Sequence, residues 1–135
     1  MILLTPFNGD LLDLRNIIEK NIIELSLNDK WIVIFDNINF DLGALVSDNR
    51  ITYLTYSGAC GAGNARNFGL QYIKDNLDCP ILLLPIDGDD ELITGSLKMI
   101  RNKINSAEEN MISFGHIKKW PDRQLTISYD GFYKL

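Results

Sequence analysis

Three aspartates, Asp87, Asp89 and Asp90, close the stretch Cys79-Pro-Ile-Leu-Leu-Leu-Pro-Ile-Asp-Gly-Asp-Asp90, directly after the apolar run Ile81 to Leu84. Carboxylates that near to one another repel, so a cation or several hydrogen bonds must offset the repulsion. A hard divalent ion such as Mg2+ or Mn2+ suits the position. It takes oxygen ligands and can share its remaining places with phosphate oxygens. Asp and Gly are also ordinary turn residues, and an acidic turn ahead of a helix beginning near Thr94 is the plain structural alternative.

Other polar groups stand at the ends of apolar runs. Ile2 to Thr5 stops at the turn formers Pro6-Phe7-Asn8-Gly9-Asp10, and Trp31 to Phe35 ends in Asp36-Asn37. Ser57 to Asn67 is a loop of small residues leading into a helix, and its glycines together with the helix start suit an anion. Gly61-Ala-Gly63 begins a dinucleotide fingerprint, but Arg66 stands where the third glycine belongs, and no phosphate loop ending in Gly-Lys-Ser/Thr is present. A flexible loop with a capped helix explains the segment equally well.

The elements that must hold these groups follow from hydrophobic periodicity. Ile2 to Thr5, Trp31 to Phe35, Arg50 to Thr55 and Ile81 to Leu84 have the length and composition of strands. The last is expected to be buried on both faces, and the third to lie near the sheet edge. Leu11, Leu14, Ile18, Ile22 and Leu25 make one helical stripe capped by Asp10. A second helix turns Ala65, Phe68, Tyr72 and Ile73 inward. Leu97, Ile100, Ile104 and Ala107 mark a third, with Thr94 or Ser96 as cap. Asn37 to Ser47 reads as loop with a short helical piece. Met111 to Phe114 and Gln124 to Ser128 read as strands joined through the polar turn Lys118 to Arg123 in an antiparallel hairpin. Alternating strand and helix implies right-handed crossovers and a mainly parallel sheet with helices on both faces, a three-layer α/β/α fold. Ligands of such sheets sit beyond the carboxyl ends of the strands, where Thr5-Pro6-Phe7, Asp36-Asn37 and Asp87 to Asp90 would converge.

Composition narrows the partners. The chain of 135 residues is 46% hydrophobic and carries a net charge of -5, which suits one globular domain and argues against a general nucleic-acid surface. No run reaches the length of a membrane span, and the expected location is the cytoplasm or the periphery of a membrane face. Cys60 and Cys79 lack metal-type spacing and read as reduced thiols. The sole histidine, His116, reads as a surface or hydrogen-bonded residue at a strand end rather than a general base.

In order along the chain, Leu4-Thr-Pro-Phe-Asn8, Ile34-Phe-Asp-Asn37, Gly61-Ala-Gly-Asn-Ala-Arg-Asn-Phe-Gly69 and Ile86-Asp-Gly-Asp-Asp90 resemble the motifs of the family 2 glycosyltransferases of the GT-A fold. The match spans roughly residues 1 to 115. The resemblance implies a Rossmann-like nucleotide-diphospho-sugar fold and a donor site in which Thr5, Pro6, Phe7, Asp36 and Asn37 surround the base. Phe7 would stack on the base, Arg66 would lie near the donor, and Asp87 and Gly88 would approach the ribose or the metal. Asp89, with Asp87, would bind the Mg2+ or Mn2+ that bridges the two phosphates. The implied partner is a nucleotide sugar, a UDP-sugar first, with a glycan acceptor and inverting transfer in polysaccharide synthesis. Asn37 departs from the second acid common at its position. Family members usually continue beyond the length of this chain with an acceptor pocket and a catalytic base. Asp122 and Asp130 read as surface turn residues. Residues 1 to 135 are therefore expected to be the donor-binding part alone, lacking the acceptor part and the base, either as a truncated piece or as a naturally short relative, and to self-associate through the face the acceptor part would cover. The alternative is a catalytically incomplete nucleotide-binding or assembly module. A haloacid dehalogenase-like phosphatase is disfavoured by Glu91 and by the short remaining chain, and a receiver domain by the lack of an acidic pair after the first strand.

Overall fold

Four largely apolar runs, the first three containing β-branched and aromatic residues, pair side by side into one all-parallel sheet: β1 (Ile2–Phe7), β2 (Lys30–Asp36), β3 (Ile51–Tyr56) and β4 (Leu83–Pro85). In the computed structural model, residues 1–38, 40–77, 82–104, 111–113, 116–119, 124–127 and 131–133 are described. The chain divides into two compact units, Met1–Gly95 and Ser96–Leu135. The first is an α/β unit whose strands lie in the order β3-β2-β1-β4.

Side chains alternate between the two faces of the sheet. On one face, Ile2, Leu4, Ile32 and Ile34 pack with Ala65 and Ile73 of α2 (Ala62–Asn76). The helix comes unusually close. A Cβ built at Gly69 would fall 2.6 Å from Leu4 Cδ1 and 2.7 Å from Ile34 Cδ1, so only glycine permits this approach. The other face, with Leu3, Thr5, Trp31, Val33 and Phe35, is buried as completely. There Phe35 stacks on Phe40, with ring centroids 4.0 Å apart, and Trp31 Nε1 donates to Thr5 Oγ1 over 2.9 Å. With both faces covered, β1 and β2 need no polar alternation, which is why they read as nearly continuous apolar runs.

Helix α1 (Leu11–Asn21) starts as expected. The carboxylate of Asp10 accepts the Leu12 N–H at 2.7 Å, a cap contributing about 1 kcal/mol. Leu14, Ile18 and Leu25 of its stripe are buried, and the helix passes into a 3-10 turn at Ile22–Glu24. In α2, Ala65 and Ile73 are buried, but Phe68 remains 37% exposed, its ring tilted against Tyr56. A second 3-10 turn, Leu42–Ala44, is the short helical piece between β2 and β3.

Several elements differ from the periodicity. β1 runs on through Pro6 and Phe7, because their register against Ile34 and Phe35 continues the ladder. β4 is shorter than the apolar run and only half-buried: it pairs with β1 alone among the described strands, and it includes the exposed Pro85, a residue suited to an edge. Ile81 and Cys79 lie outside the described residues.

The second unit contains α3 (Ser96–Ile104) and four short strands, β5 (Met111–Ser113), β6 (His116–Lys119), β7 (Gln124–Ile127) and β8 (Gly131–Tyr133). The expected pairing of the first with the third of these does not occur. β6 pairs antiparallel with β7, and β5 with β8. His116, Lys118 and Lys119 are therefore strand residues, His116 opposite Ile127 and Lys119 opposite Gln124. The consecutive lysines Lys118 and Lys119, beside a single apolar residue, hid β6 from a hydrophobic criterion. Ser96 is the first residue of α3 and does not cap it: its hydroxyl has no hydrogen-bond partner among the described residues. Ala107, Phe114, Asp122, Ser128 and Asp130 lie outside the described residues. No helix among the described residues is long and apolar enough to cross a membrane.

Candidate functional site

The chain leaves β1 toward β2 and β3, then returns to the opposite side of β1 as β4. Where the direction of winding reverses between adjacent parallel strands, the loops beyond their carboxyl ends part and leave a crevice. An open cleft of about 580 Å3 lies at this point. Pro6, Phe7, Asn8 and Gly9 of the β1 end form one part of its lining, and Gly88 and Asp89 of the β4 end another. Asp10, Asp13, Asn16, Ile17 and Lys20 of α1 and its cap complete it.

The three aspartates of the acidic turn have three different fates. Asp87 pairs with the Arg66 guanidinium of α2. Asp90 folds back, its carboxylate accepting the Asp87 N–H at 3.2 Å while its own N–H donates to the Asp87 carbonyl at 3.1 Å. Asp89 is exposed on the cleft and makes no hydrogen bond or ion pair within the described residues. The repulsion inherent in the sequence is thus relieved for two carboxylates by an arginine and a backbone amide, and one remains open to a ligand. Gly88 permits the geometry: a Cβ there would lie 2.5 Å from Phe7 Cδ2 and 3.4 Å from the Pro6 carbonyl oxygen.

The β2 end is tied inward. Asp36, 3% exposed, accepts the Gly61 N–H at 2.8 Å and the Asn37 amide at 2.8 Å, with the Cys60 thiol 3.7 Å away. One backbone donor at the start of α2 is therefore directed at an internal carboxylate, which also suits the positive end of the helix dipole. Asn37 adopts a left-handed φ of 57°, and its amide donates both to Asp36 and, at 3.1 Å, to the Gly58 carbonyl. An amide serves both acceptors where a second carboxylate would only add repulsion. Asn8 extends the chain of contacts, its amide 3.8 Å from Cys60 Sγ.

The residues singled out in the sequence are thus distributed unevenly. Pro6, Phe7, Gly88 and Asp89 line the cleft. Arg66 and Asp87 meet each other beside it, and Asp36 and Asn37 join the β2 end to the loops at Gly58 and Gly61. Thr5 is buried, its hydroxyl committed to Trp31. Phe7 is only 7% exposed and packs edge-on against Phe35, with centroids 6.0 Å apart. The α1 wall was not anticipated. Asp13, Asn16 and Lys20 recur at helical spacing opposite the apolar stripe, a polar face whose placement next to a strand end was the available signal. His116 belongs to the second unit.

Strong electrostatic shifts occur elsewhere, in the turn before β3 and on β3 itself. Hydrogen bonds from Arg50, side chain first and then backbone, hold the Asp48 carboxyl down to about 2. Burial, with the Asp48 charge as a lesser cause, pushes the Tyr53 phenol up to about 12.

Among the described residues, no group of three or more His, Cys, Asp or Glu side chains could hold a metal ion. The single open carboxylate of Asp89 does not make a protein cage. It does fit an ion of the Mg2+ type, which is commonly held by one or two carboxylates and takes its other ligands from water and phosphates. No family model, curated protein or solved structure matches the chain.

Proposed function

We propose that this chain binds a nucleotide-diphosphate sugar at the β1/β4 crevice, as the donor-binding part of a family 2-like glycosyltransferase of the GT-A type. Sugar would pass to an acceptor hydroxyl in glycan or polysaccharide synthesis, in the cytoplasm. The observation that carries the reading is the unpaired Asp89 carboxylate at the reversal point of the sheet, beside the Arg66–Asp87 pair. The order of four motifs along the chain supports it, as does the strand order, since right-handed crossovers in opposite directions send α1 and α2 to opposite faces of a three-layer fold.

In this reading Asp89 holds a Mg2+ or Mn2+ ion, which supplies Lewis-acid neutralisation of the diphosphate. The protein's own groups position the donor. Arg66 keeps Asp87 at the rim, and Asn8 and the neighbouring turn border the nucleoside. With Phe7 packed on Phe35, the base is held by the polar rim rather than by stacking on that ring. One observation favours a second reading, a binding or assembly module without turnover: the carboxylates of Asp36 and Asp87 are already taken, by the Gly61 N–H and by Arg66.

Calorimetric titration of UDP and UDP-sugars with and without Mn2+ tests the proposal. Binding should tighten with the ion, and Asp89→Ala should abolish that gain while leaving the fold intact. Absent or metal-independent binding favours the assembly module.

A further inference from the structure

Asn21 is the last residue of α1, where an asparagine is ordinarily solvated or bonded to its own helix. Here it is fully buried, and both ends of its amide serve a segment far along the chain. Nδ2 donates to the Asp90 carbonyl at 3.1 Å, and Oδ1 accepts the Leu92 N–H at 2.8 Å, across separations of 69 and 71 residues. Neighbouring side chains repeat the register. Lys20 Nζ lies 2.9 Å from Glu91 Oε2, and Glu24 Oε2 accepts the Gly95 N–H at 2.8 Å. At its other end the turn is anchored to the sheet, where the Ile86 N–H donates to the Leu4 carbonyl at 3.0 Å. Asp89 therefore projects from a short loop fixed at both ends, and Asn21 is the buried part of the second anchor.

We propose that Asn21 is a positioning residue for the Asp89 carboxylate, setting its place in the cleft without touching the ligand. The proposal rests on the donor-site reading above. Asn21→Ala removes both partners of the loop. Asn21→Asp keeps an acceptor for the Leu92 N–H but sets an oxygen against the Asp90 carbonyl. Groups bonded directly to a metal ligand are worth about 10- to 100-fold in metal affinity; Asn21 bonds the backbone next to Asp89 rather than its carboxylate, so the low end, about 10-fold, is expected. In titrations of UDP with and without Mn2+, both variants should lose about that factor of the metal-dependent gain while metal-free UDP binding is unchanged, a split that general loosening of the fold would not produce. Either variant retaining the full gain with a wild-type urea midpoint overturns the role of Asn21 and leaves the donor-site reading standing. A wild-type protein without any metal-dependent gain overturns both. Hydrogen exchange on the ligand-free wild-type protein supplies a measurement that needs no variant: the Leu92 amide should be protected like the amides of α1. Exchange there at the rate of an unstructured chain overturns the proposal.

Discussion

Gly63 and Gly69 lie in the same helix, yet the same substitution should move stability in opposite directions. At Gly69 a new methyl would sit 2.6 Å and 2.7 Å from the terminal carbons of Leu4 and Ile34. Carbon atoms in good contact are about 3.5–4.0 Å apart, so each overlap is roughly 1 Å. Both neighbours are at most 1% exposed and have nowhere to swing. Overpacking of this kind costs about 1–3 kcal/mol, against about 1 kcal/mol recovered by replacing glycine within a helix. Gly69→Ala should therefore destabilise by up to about 2 kcal/mol. At Gly63 a Cβ meets nothing within 4 Å, and Gly63→Ala should stabilise by about 0.5 kcal/mol. The two variants should differ by up to about 2.5 kcal/mol, a separation of up to about 1.2 M in urea midpoint for a slope of about 2 kcal/mol/M. Urea unfolding followed by circular dichroism is the assay. Equal and stabilising effects at both positions would refute the close approach of α2 to β1 and β2. The placement of Arg66, one turn before Gly69, would lose its support with it.

The remaining predictions concern the rim and the opposite end of the sheet. Asn37→Asp should destabilise by about 1–3 kcal/mol in urea unfolding, because it sets a carboxylate against Asp36 and strips the Gly58 carbonyl of its donor; Asn37→Gly, which tolerates the left-handed backbone, should cost less. Because the Asp48 carboxyl is held at about 2 in the fold against a usual 3.8, its contribution is present above pH 3.8 and is lost as pH falls toward 2. The pair is partly exposed, so the loss is about 1 kcal/mol or less, and Asp48→Asn should flatten the fall in urea midpoint between about pH 5 and pH 3.

The arrangement of the acidic turn shows how a costly sequence is accommodated. Three adjacent carboxylates look like a ligand set when only their spacing is known. In the folded chain their roles separate by direction: one toward α2 and Arg66, one back into the turn, and one into the cleft. Burial also separated residues that looked alike at the β1 end. Thr5 and Phe7 point to the face that carries Trp31 and Phe35, whose bulk covers them, while Asn8 lies beyond the last strand residue and stays exposed.

What the sequence determined by itself was local. Apolar runs of strand length, helical spacing of leucines and isoleucines, and Asp10 ahead of Leu11 are signals carried within a turn or two of chain. They specified the four parallel strands and the helices of the first unit to within a few residues. Strand β6 escaped because its lysines obscured the apolar pattern, and β4 came out shorter because a run of apolar residues does not say whether a strand will be flanked on both sides. Only the tertiary structure decided the order β3-β2-β1-β4, and with it the point where the winding reverses and the cleft opens. It also decided that Asn21 reaches Asp90 and Leu92 and that Arg66 reaches Asp87. Those partners lie tens of residues apart, and no local preference of the chain encodes them: they meet only because burying both faces of one sheet brings their elements together.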